Sequence, residues 1–215
     1  MRTAELFCGT KSFSKVAARL GHSTHTIDNN IEFNPDVCAD ILEHPITTEC
    51  FDALWASPPC TTFSVASIGK HWNKGYIPKT EAANTGLKLL DKTVEWIATN
   101  KPENWFIENP RGMMRKVIDQ TFKKWGVTDY RRVTVTYCQY GDTRMKPTDV
   151  WTNNKTWQPR PMCKKGSPCH AAAPRGSSTG TQGILGNNKE RERGRIPEKL
   201  FEEIFNSLED KKVRM

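Results

Sequence analysis

Short apolar strands alternating with periodic helical segments predict an α/β fold, a mostly parallel sheet with helices on both faces. Two observations sharpen this. Gly9, Asp28, Cys60 and Glu108 each follow an apolar strand run, and in such sheets ligands bind beyond the carboxyl ends of the strands. Residues 152–195, dominated by Gly, Pro, Ser, Thr, Lys and Arg, then break the pattern before it recovers at Ile196, which predicts a small basic loop-rich insert.

The elements follow in order. Ala4 to Cys8 is apolar except for Glu5; Gly9 follows, then Phe13, Val16, Ala17 and Leu20 at helical spacing. This predicts strand, tight turn and helix. Ser23 to Ile27 is a second strand, ending at Asp28, and Phe51 to Ala56 a third, stopped by Ser57-Pro58-Pro59-Cys60. Thr80 to Thr99 predicts a helix with Leu87, Leu90, Val94 and Ile97 on one face. Trp105-Phe106-Ile107 is a strand stopped by Glu108-Asn109-Pro110, and Arg132 to Tyr137 alternates through Val133, Val135 and Tyr137 as a half-exposed strand. After the insert, which reads as metal-stapled or partly disordered, Pro197 suits a first helical turn. Leu200, Phe201, Ile204, Phe205 and Leu208 make the helix amphipathic. Lys211, Lys212 and Arg214 form a solvated tail. The expected organisation is an α/β unit over 1–151, a basic insert over 152–195, and a C-terminal helix over 196–215 that returns to the first unit.

At 215 residues and 36% hydrophobic content, the chain suits one domain with a modest core. No stretch approaches the roughly 18 apolar residues of a membrane span. The start, Met1 to Leu6, has no long apolar region, which points to a cytoplasmic protein. Seven cysteines at irregular spacing argue against a disulfide framework and leave catalysis, metal binding or burial as their uses. The net charge of +8 is unevenly spread. Residues 1–110 carry 10 Lys/Arg against 13 Asp/Glu, and residues 111–215 carry 22 against 11. The basic half is a candidate polyanion-facing side and the first half a candidate small-ligand side; a generally basic soluble surface is the plainer alternative.

Ser57-Pro58-Pro59-Cys60-Thr61-Thr62-Phe63-Ser64 is the sharpest signal. Two prolines stiffen the chain as it leaves the sheet and fix the cysteine at the ligand edge. A thiolate is strongly nucleophilic near neutral pH and easily expelled again. A cysteine alone is as readily a structural residue; its neighbours decide. Pro-Pro-Cys with Phe-Ser resembles the nucleophile motif of the cytosine-5 methyltransferases. Glu5-Leu6-Phe7-Cys8-Gly9 resembles that family's opening cofactor motif, and Phe106-Ile107-Glu108-Asn109-Pro110 its Glu-Asn-Val motif. Asp28 and Asp40 stand where the family's order expects them, and spacing agrees across roughly residues 1–150.

The resemblance implies a Rossmann-like S-adenosylmethionine-dependent methyltransferase fold and methyl transfer to carbon 5 of a cytosine in double-stranded DNA. Cys60 would add to carbon 6 of the ring, making carbon 5 nucleophilic. Glu108, protonated in a closed pocket, would relieve the charge at N3; a carboxylate capping a strand end is the alternative. Phe7, Gly9 and Thr10 would meet the methionine part of the cofactor, Asp28 its ribose hydroxyls, Asp40 and Ile41 its adenine, and Pro58 would lie near cofactor and cytosine. The resemblance also implies a monomer without membrane contact, in a bacterial or phage-infected cell. Restriction protection, genome marking and gene control are all open purposes.

Three departures stand out. Lys11 and Ser12 replace two small residues of the opening motif, and Pro110 replaces a valine. Tyr140-Gly141-Asp142-Thr143-Arg144-Met145-Lys146-Pro147 only approximates the family's Gln-x-Arg-x-Arg motif. Arg144 is the candidate base-contacting cation, with Lys146 as substitute, against a basic loop that touches phosphate or solvent. The insert resembles a minimal version of the target-recognition region in small phage and prophage enzymes, which predicts a short or relaxed recognition sequence. Ser64, Lys146, Lys164, Lys165, Arg175, Lys189, Arg191, Arg193 and Arg195 are the candidate DNA contacts, with steep salt dependence. Trp151 and Trp157 either stack on bases or pack in the core. Cys163, Cys169 and His170, with Cys138 as a fourth, are either zinc ligands stapling the insert or free groups in a loop. Ser64 to Ile77, with Gly69, His71, Trp72, Lys74 and Gly75, is either a mobile loop closing over a flipped cytosine or an ordinary surface loop. An RNA cytosine-5 methyltransferase and a catalytically impaired nucleic-acid-binding relative are the alternative functions.

Overall fold

The computed structural model describes residues 1–46, 49–164, 166–171 and 194–213, with side chains through Glu209. Seven strands form one sheet: β1 (Arg2–Leu6), β2 (Ser23–Asp28), β3 (Val37–Cys38), β4 (Ala53–Ala56), β5 (Asn104–Pro110), β6 (Arg131–Thr136) and β7 (Pro147–Thr152). Their spatial order is β3-β2-β1-β4-β5-β7-β6. The first five run parallel, and β7 lies antiparallel between β5 and β6. The helices are α1 (Ser12–Arg19), α2 (Ile68–His71), α3 (Glu81–Asn100), α4 (Met114–Lys124) and α5 (Glu198–Val213). This is the expected α/β architecture.

Two apolar layers cover the sheet. Leu6, Leu54, Ile107, Leu90, Val94, Trp96, Ile118 and Phe122 belong to one. Phe13, Trp55, Phe106, Phe201, Ile204 and Phe205 belong to the other. Helix α3 begins where the sequence predicts, because the Thr80 hydroxyl accepts from the Ala83 N–H and caps the first turn. Its residues Leu90, Val94 and Ile97 are buried on the predicted face. In α5, Leu200, Phe201, Ile204, Phe205 and Leu208 are all buried, and Phe205 stacks on Phe13 at 4.9 Å between ring centroids.

Two elements have no counterpart in the sequence reading. Helix α4 buries Met114, Val117, Ile118 and Phe122, a helical spacing hidden among five Lys, Arg and Asp residues. Strand β7 has five buried positions, of which Thr148, Asp149 and Thr152 are polar. Their cost is met locally: Asp149 takes the Arg115 guanidinium (Nη2 to Oδ1, 2.5 Å) and the Thr134 hydroxyl (2.7 Å). Trp151 and Trp157 are each 1% exposed; they pack in the core rather than face bases. The segment after Ser64 is folded rather than an open loop. Trp72 is buried and donates its indole N–H to the Thr62 carbonyl (2.7 Å), and His71 pairs with Thr80 (2.7 Å). All seven cysteines are free thiols. Among the described residues no helix is long and apolar enough to cross a membrane.

Glu5, the lone charge in the first strand, is buried because it caps α1 from below. Its carboxylate accepts the N–H groups of Phe13 (3.3 Å) and Ser14 (2.9 Å), donors that the first turn of a helix leaves unpaired. Burial outweighs those bonds and pushes the Glu5 carboxyl up to about 7. A carboxyl raised in the fold contributes its full stability below its ordinary value of 4.5 and loses it as pH rises through about 7. Glu5→Gln therefore gains stability relative to the parent chain between pH 5 and pH 8, by an amount on the order of 3 kcal/mol at most. Urea unfolding of both chains across that range tests this; a difference independent of pH refutes it.

Candidate active site

The sheet register builds the site. Ile27 pairs with Leu6, Leu6 with Ala56, and Ala56 with Ile107. One residue beyond that common rung stand Phe7, Asp28, Ser57 and Glu108, so four strands deliver their ligand-edge residues at one level. The order of strands reverses between β1 and β4, where open α/β sheets form their ligand crevice.

On the β1–β2 side the backbone turns sharply. Phe7 and Gly9 have φ of 57° and 45°, and the Gly9 N–H donates to Asp28 (2.8 Å), whose other oxygen accepts from Asn30 N–H (2.9 Å). A carboxylate has roughly four acceptor sites, so Asp28 retains capacity for a ligand hydroxyl. Thr10 pairs with Ser12 (3.0 Å). Lys11 takes a left-handed conformation (φ 56°, ψ 42°) at the N-cap of α1, a backbone that favours glycine. Its ammonium reaches the Asn34 carbonyl on the loop after β2. Ser12 is buried against the chain at Ile196. Asp40 is exposed and accepts from Leu42 N–H (2.9 Å), whereas the Ile41 side chain is 3% exposed and packs in the core. Sequence reasoning overlooked Ile31, 67% exposed on the turn just past Asp28; an apolar residue directly after an acidic strand end was the available signal.

The nucleophile loop is stitched to β5 and α4. Asn109 donates its amide to the Pro58 carbonyl (2.8 Å), Ser57 bonds the Glu108 carboxyl, and Met113 N–H donates to the Phe63 carbonyl (2.7 Å). Ser64 bridges Gly112 and pairs with Ser67 (2.9 Å). Pro58 is buried while Cys60 is exposed, so the thiol is held on an anchored loop and remains reachable.

Glu108 is 5% exposed. The Tyr137 hydroxyl donates to its Oε1 (2.8 Å). Burial pushes this carboxyl above its ordinary value; Lys146, Tyr137 and Ser57 oppose the rise and Asp149 adds to it. The protonated form is thereby more favoured than in a free carboxyl. The alternation predicts a half-exposed strand through Tyr137; β6 ends at Thr136, and Tyr137 instead opens a 3-10 turn (Tyr137–Tyr140). Lys146 lies over the Tyr137 ring at 4.9 Å. Arg144 is gripped by Asp142 (Nη2 to Oδ2, 2.5 Å), each side chain 12% exposed. Burial pushes Asp142 up, but the guanidinium outweighs it and holds the acid below its ordinary value.

The insert shows a second cluster. The donor atoms of Cys138, Cys163, Cys169 and His170 all lie within 4.8 Å of one another. Lys164 is exposed nearby. Lys165, Arg175, Lys189, Arg191 and Arg193 fall outside the described residues.

The fold and the sheet-edge site define an S-adenosylmethionine-dependent methyltransferase. The family model for C-5 cytosine-specific DNA methylase matches residues 1–128. A Frog virus 3 (isolate Goorha) chain named "probable DNA (cytosine-5)-methyltransferase" is 33% identical over 177 residues, 78% of this chain and 77% of that one. The chain belongs to the C-5 cytosine-specific DNA methylase family. Two solved structures share the fold: a DNA modification methyltransferase encoded within an E. coli prophage (TM-score 0.51, 15% identity, 71% of this chain) and the Entamoeba histolytica methyltransferase EhMeth (TM-score 0.53, 14% identity, 74% of this chain). The match covers 46% and 54% of those two chains.

The stitching makes a test. A Cβ on Gly112 would lie 2.1 Å from the Phe63 carbonyl oxygen, a backbone atom. Gly112→Ala is expected to cost about 1–3 kcal/mol and to slow thiol labelling at Cys60 by displacing its loop. Gly69→Ala, where nothing lies within 4 Å, stays within about 0.5 kcal/mol of the parent. Equal unfolding midpoints for both variants would show that the loop is not held there.

Proposed function

We propose that the chain transfers a methyl group to carbon 5 of cytosine in DNA, with Cys60 as nucleophile and Glu108 as the acid at N3. The observation carrying this is the common sheet rung that brings the anchored Cys60 loop and the buried, proton-favouring Glu108 to one edge. Family membership and the viral relative's name favour DNA over RNA.

The residues at the β1–β2 edge suit S-adenosylmethionine. A carboxylate stands at the ribose position, an exposed apolar Ile31 stands beside it for the adenine, and the Lys11 ammonium is engaged by the Asn34 carbonyl. Phe7, Gly9, Thr10, Asp40 and the backbone at Ile41 complete this side, with Pro58 toward the base. When bound, the cofactor supplies an electrophilic methyl on a sulfonium.

The thiolate of Cys60 forms a bond to carbon 6, and the ring's π electrons make carbon 5 nucleophilic while Glu108 shares its proton with N3. Once carbon 5 is methylated, loss of its proton returns the electrons to the ring and expels Cys60. Arg144, oriented by Asp142, and Lys146, whose charge acts on Glu108, are the candidate base-contacting cations. The target base must leave the duplex stack first. Residues 1–151 serve as the catalytic unit; the basic segment 152–195, including Lys164, Lys165, Arg175, Arg191 and Arg193, holds phosphates, with Ser64 near the base.

The second cluster suits a zinc ion. Tetrahedral zinc with thiolate and imidazole ligands sets donor separations of roughly 3.5–3.8 Å. Cys163 to Cys169 is 3.2 Å, Cys163 to His170 3.4 Å and Cys169 to His170 3.6 Å. Three thiols and one imidazole form a closed Cys3His set, the composition of a structural site.

Two measurements test these readings. DNA containing 5-fluorocytosine in a methylated site should trap the chain as a covalent adduct, since fluorine does not leave as a proton does; Cys60→Ser should form none, and undiminished transfer by that variant would end the nucleophile assignment. Elemental analysis of the purified chain should find one zinc per chain, lost in Cys169→Ser; a metal-free parent chain rules zinc out.

A further inference from the structure

The metal cluster and the catalytic carboxyl meet in one short turn. Three of the four donors, Cys163, Cys169 and His170, come from the insert, and the fourth, Cys138, comes from the turn after β6. The residue before Cys138 is Tyr137, whose hydroxyl donates to Glu108 Oε1 at 2.8 Å. The same turn governs the loop carrying Arg144. Tyr137 N–H donates to the Met145 carbonyl (2.9 Å), and Asp142 N–H donates to the Tyr137 carbonyl (3.2 Å). Around the cluster, Cys163 N–H donates to the Thr136 hydroxyl (2.8 Å), and Ala171 N–H to the Thr143 carbonyl (2.8 Å). Gln139 donates its amide to Cys169 Sγ (3.4 Å).

We infer that the metal centre clamps Tyr137, and that Tyr137 is a positioning residue fixing which oxygen of Glu108 carries the proton offered to the base. The inference rests on both the methyl-transfer and the zinc readings. In a neutral carboxyl one oxygen is the carbonyl acceptor and the other bears the hydrogen. A donor fixed at Oε1 makes that oxygen the acceptor and leaves the proton on Oε2. Ser57 also bonds this carboxyl, but its oxygen already accepts from the Trp55 indole (2.8 Å) and its place is set by the sheet. Tyr137 alone reaches Glu108 from the metal-bound turn. Neutral hydrogen bonds net little each, whereas a structural zinc set dominates the order of a small loop. Core packing and the Thr148 hydroxyl also hold the phenol, and metal at Cys138 sharpens its bond by fixing the turn that carries its backbone.

The closing experiment uses the full chain. Single-turnover methyl transfer at saturating DNA and cofactor is measured for the parent, Tyr137→Phe, Cys138→Ser and the double variant, with zinc content determined for each. Hydrogen exchange of residues 137–146 is followed as a chelator removes the metal. Tyr137→Phe should slow transfer about 10-fold, as loss of one neutral hydrogen bond does. Cys138→Ser should lose the metal, slow transfer by a comparable factor, and add nothing in the Tyr137→Phe background. Chelation should raise exchange across 137–146, and should slow the parent but not Tyr137→Phe. Should Cys138→Ser fail to fold, the chelator arm carries the same comparison. Multiplying costs, or metal loss without faster exchange, overturn the clamp, as does a parent chain free of metal. A parent that binds zinc and shows the exchange response but methylates no DNA leaves the clamp standing and sinks the methyl-transfer reading instead.

Discussion

One hydrogen-bonded rung across four parallel strands, Ile27, Leu6, Ala56 and Ile107, sets everything downstream of it. Side chains on neighbouring strands share a level only if the register is shared, and a slip by one residue would send every functional group to the opposite face. Because the rung is held, the turn after β1, the acid after β2, the proline-stiffened loop after β4 and the carboxyl after β5 open at one crevice. The reacting groups need no long-range mechanism to find one another; they inherit their positions from backbone pairing.

Around that frame the environment separates two kinds of carboxyl. Asp28 and Asp149 are met by donors, backbone N–H groups for the first and a guanidinium with a hydroxyl for the second. Glu5 and Glu108 accept hydrogen bonds as well, but burial outweighs them and lifts both. In Glu5 the consequence is structural. In Glu108 it favours the protonated form beside the Cys60 loop, which the proposed chemistry would use. Position on the strand, inside the rung or one step past it, separates the two outcomes.

Much of this was legible in the residues. Alternation of strand and helix foretold the sheet, and the Pro-Pro-Cys and Phe-Ile-Glu-Asn runs pointed to Cys60 and Glu108 as candidates at its edge, because those steps depend on local chemistry and on position after a strand. Cys163, Cys169 and His170 announced themselves by proximity in the chain, and Cys138 joins them across a turn. Strand β7 stayed hidden since Thr148, Asp149 and Thr152 look like surface residues until Arg115 and Thr134 are seen to satisfy Asp149. Helix α4 stayed hidden under its charged face. Tyr137 fitted an alternating strand, and only the turn that begins there points its hydroxyl at Glu108. The backbone demand at Lys11 is likewise invisible in a residue type that rarely adopts it.

The packing of α5 has a consequence for biosynthesis. Phe13, near the start of the chain, stacks on Phe205, and Trp55 meets Phe201 edge-on at 4.7 Å. Arg19 pairs with Glu198 and Glu202 beside them. Helix α1 thus waits for α5, made much later in the chain, before its apolar face is covered. Until then that side of the nascent sheet is a sticky surface, the kind that recruits chaperones or self-associates. Shortening the polypeptide before Leu200 would strand the rings of Phe13, Trp55 and Phe106 without a lid, so solubility, rather than chemistry, is where such a truncation would be felt first.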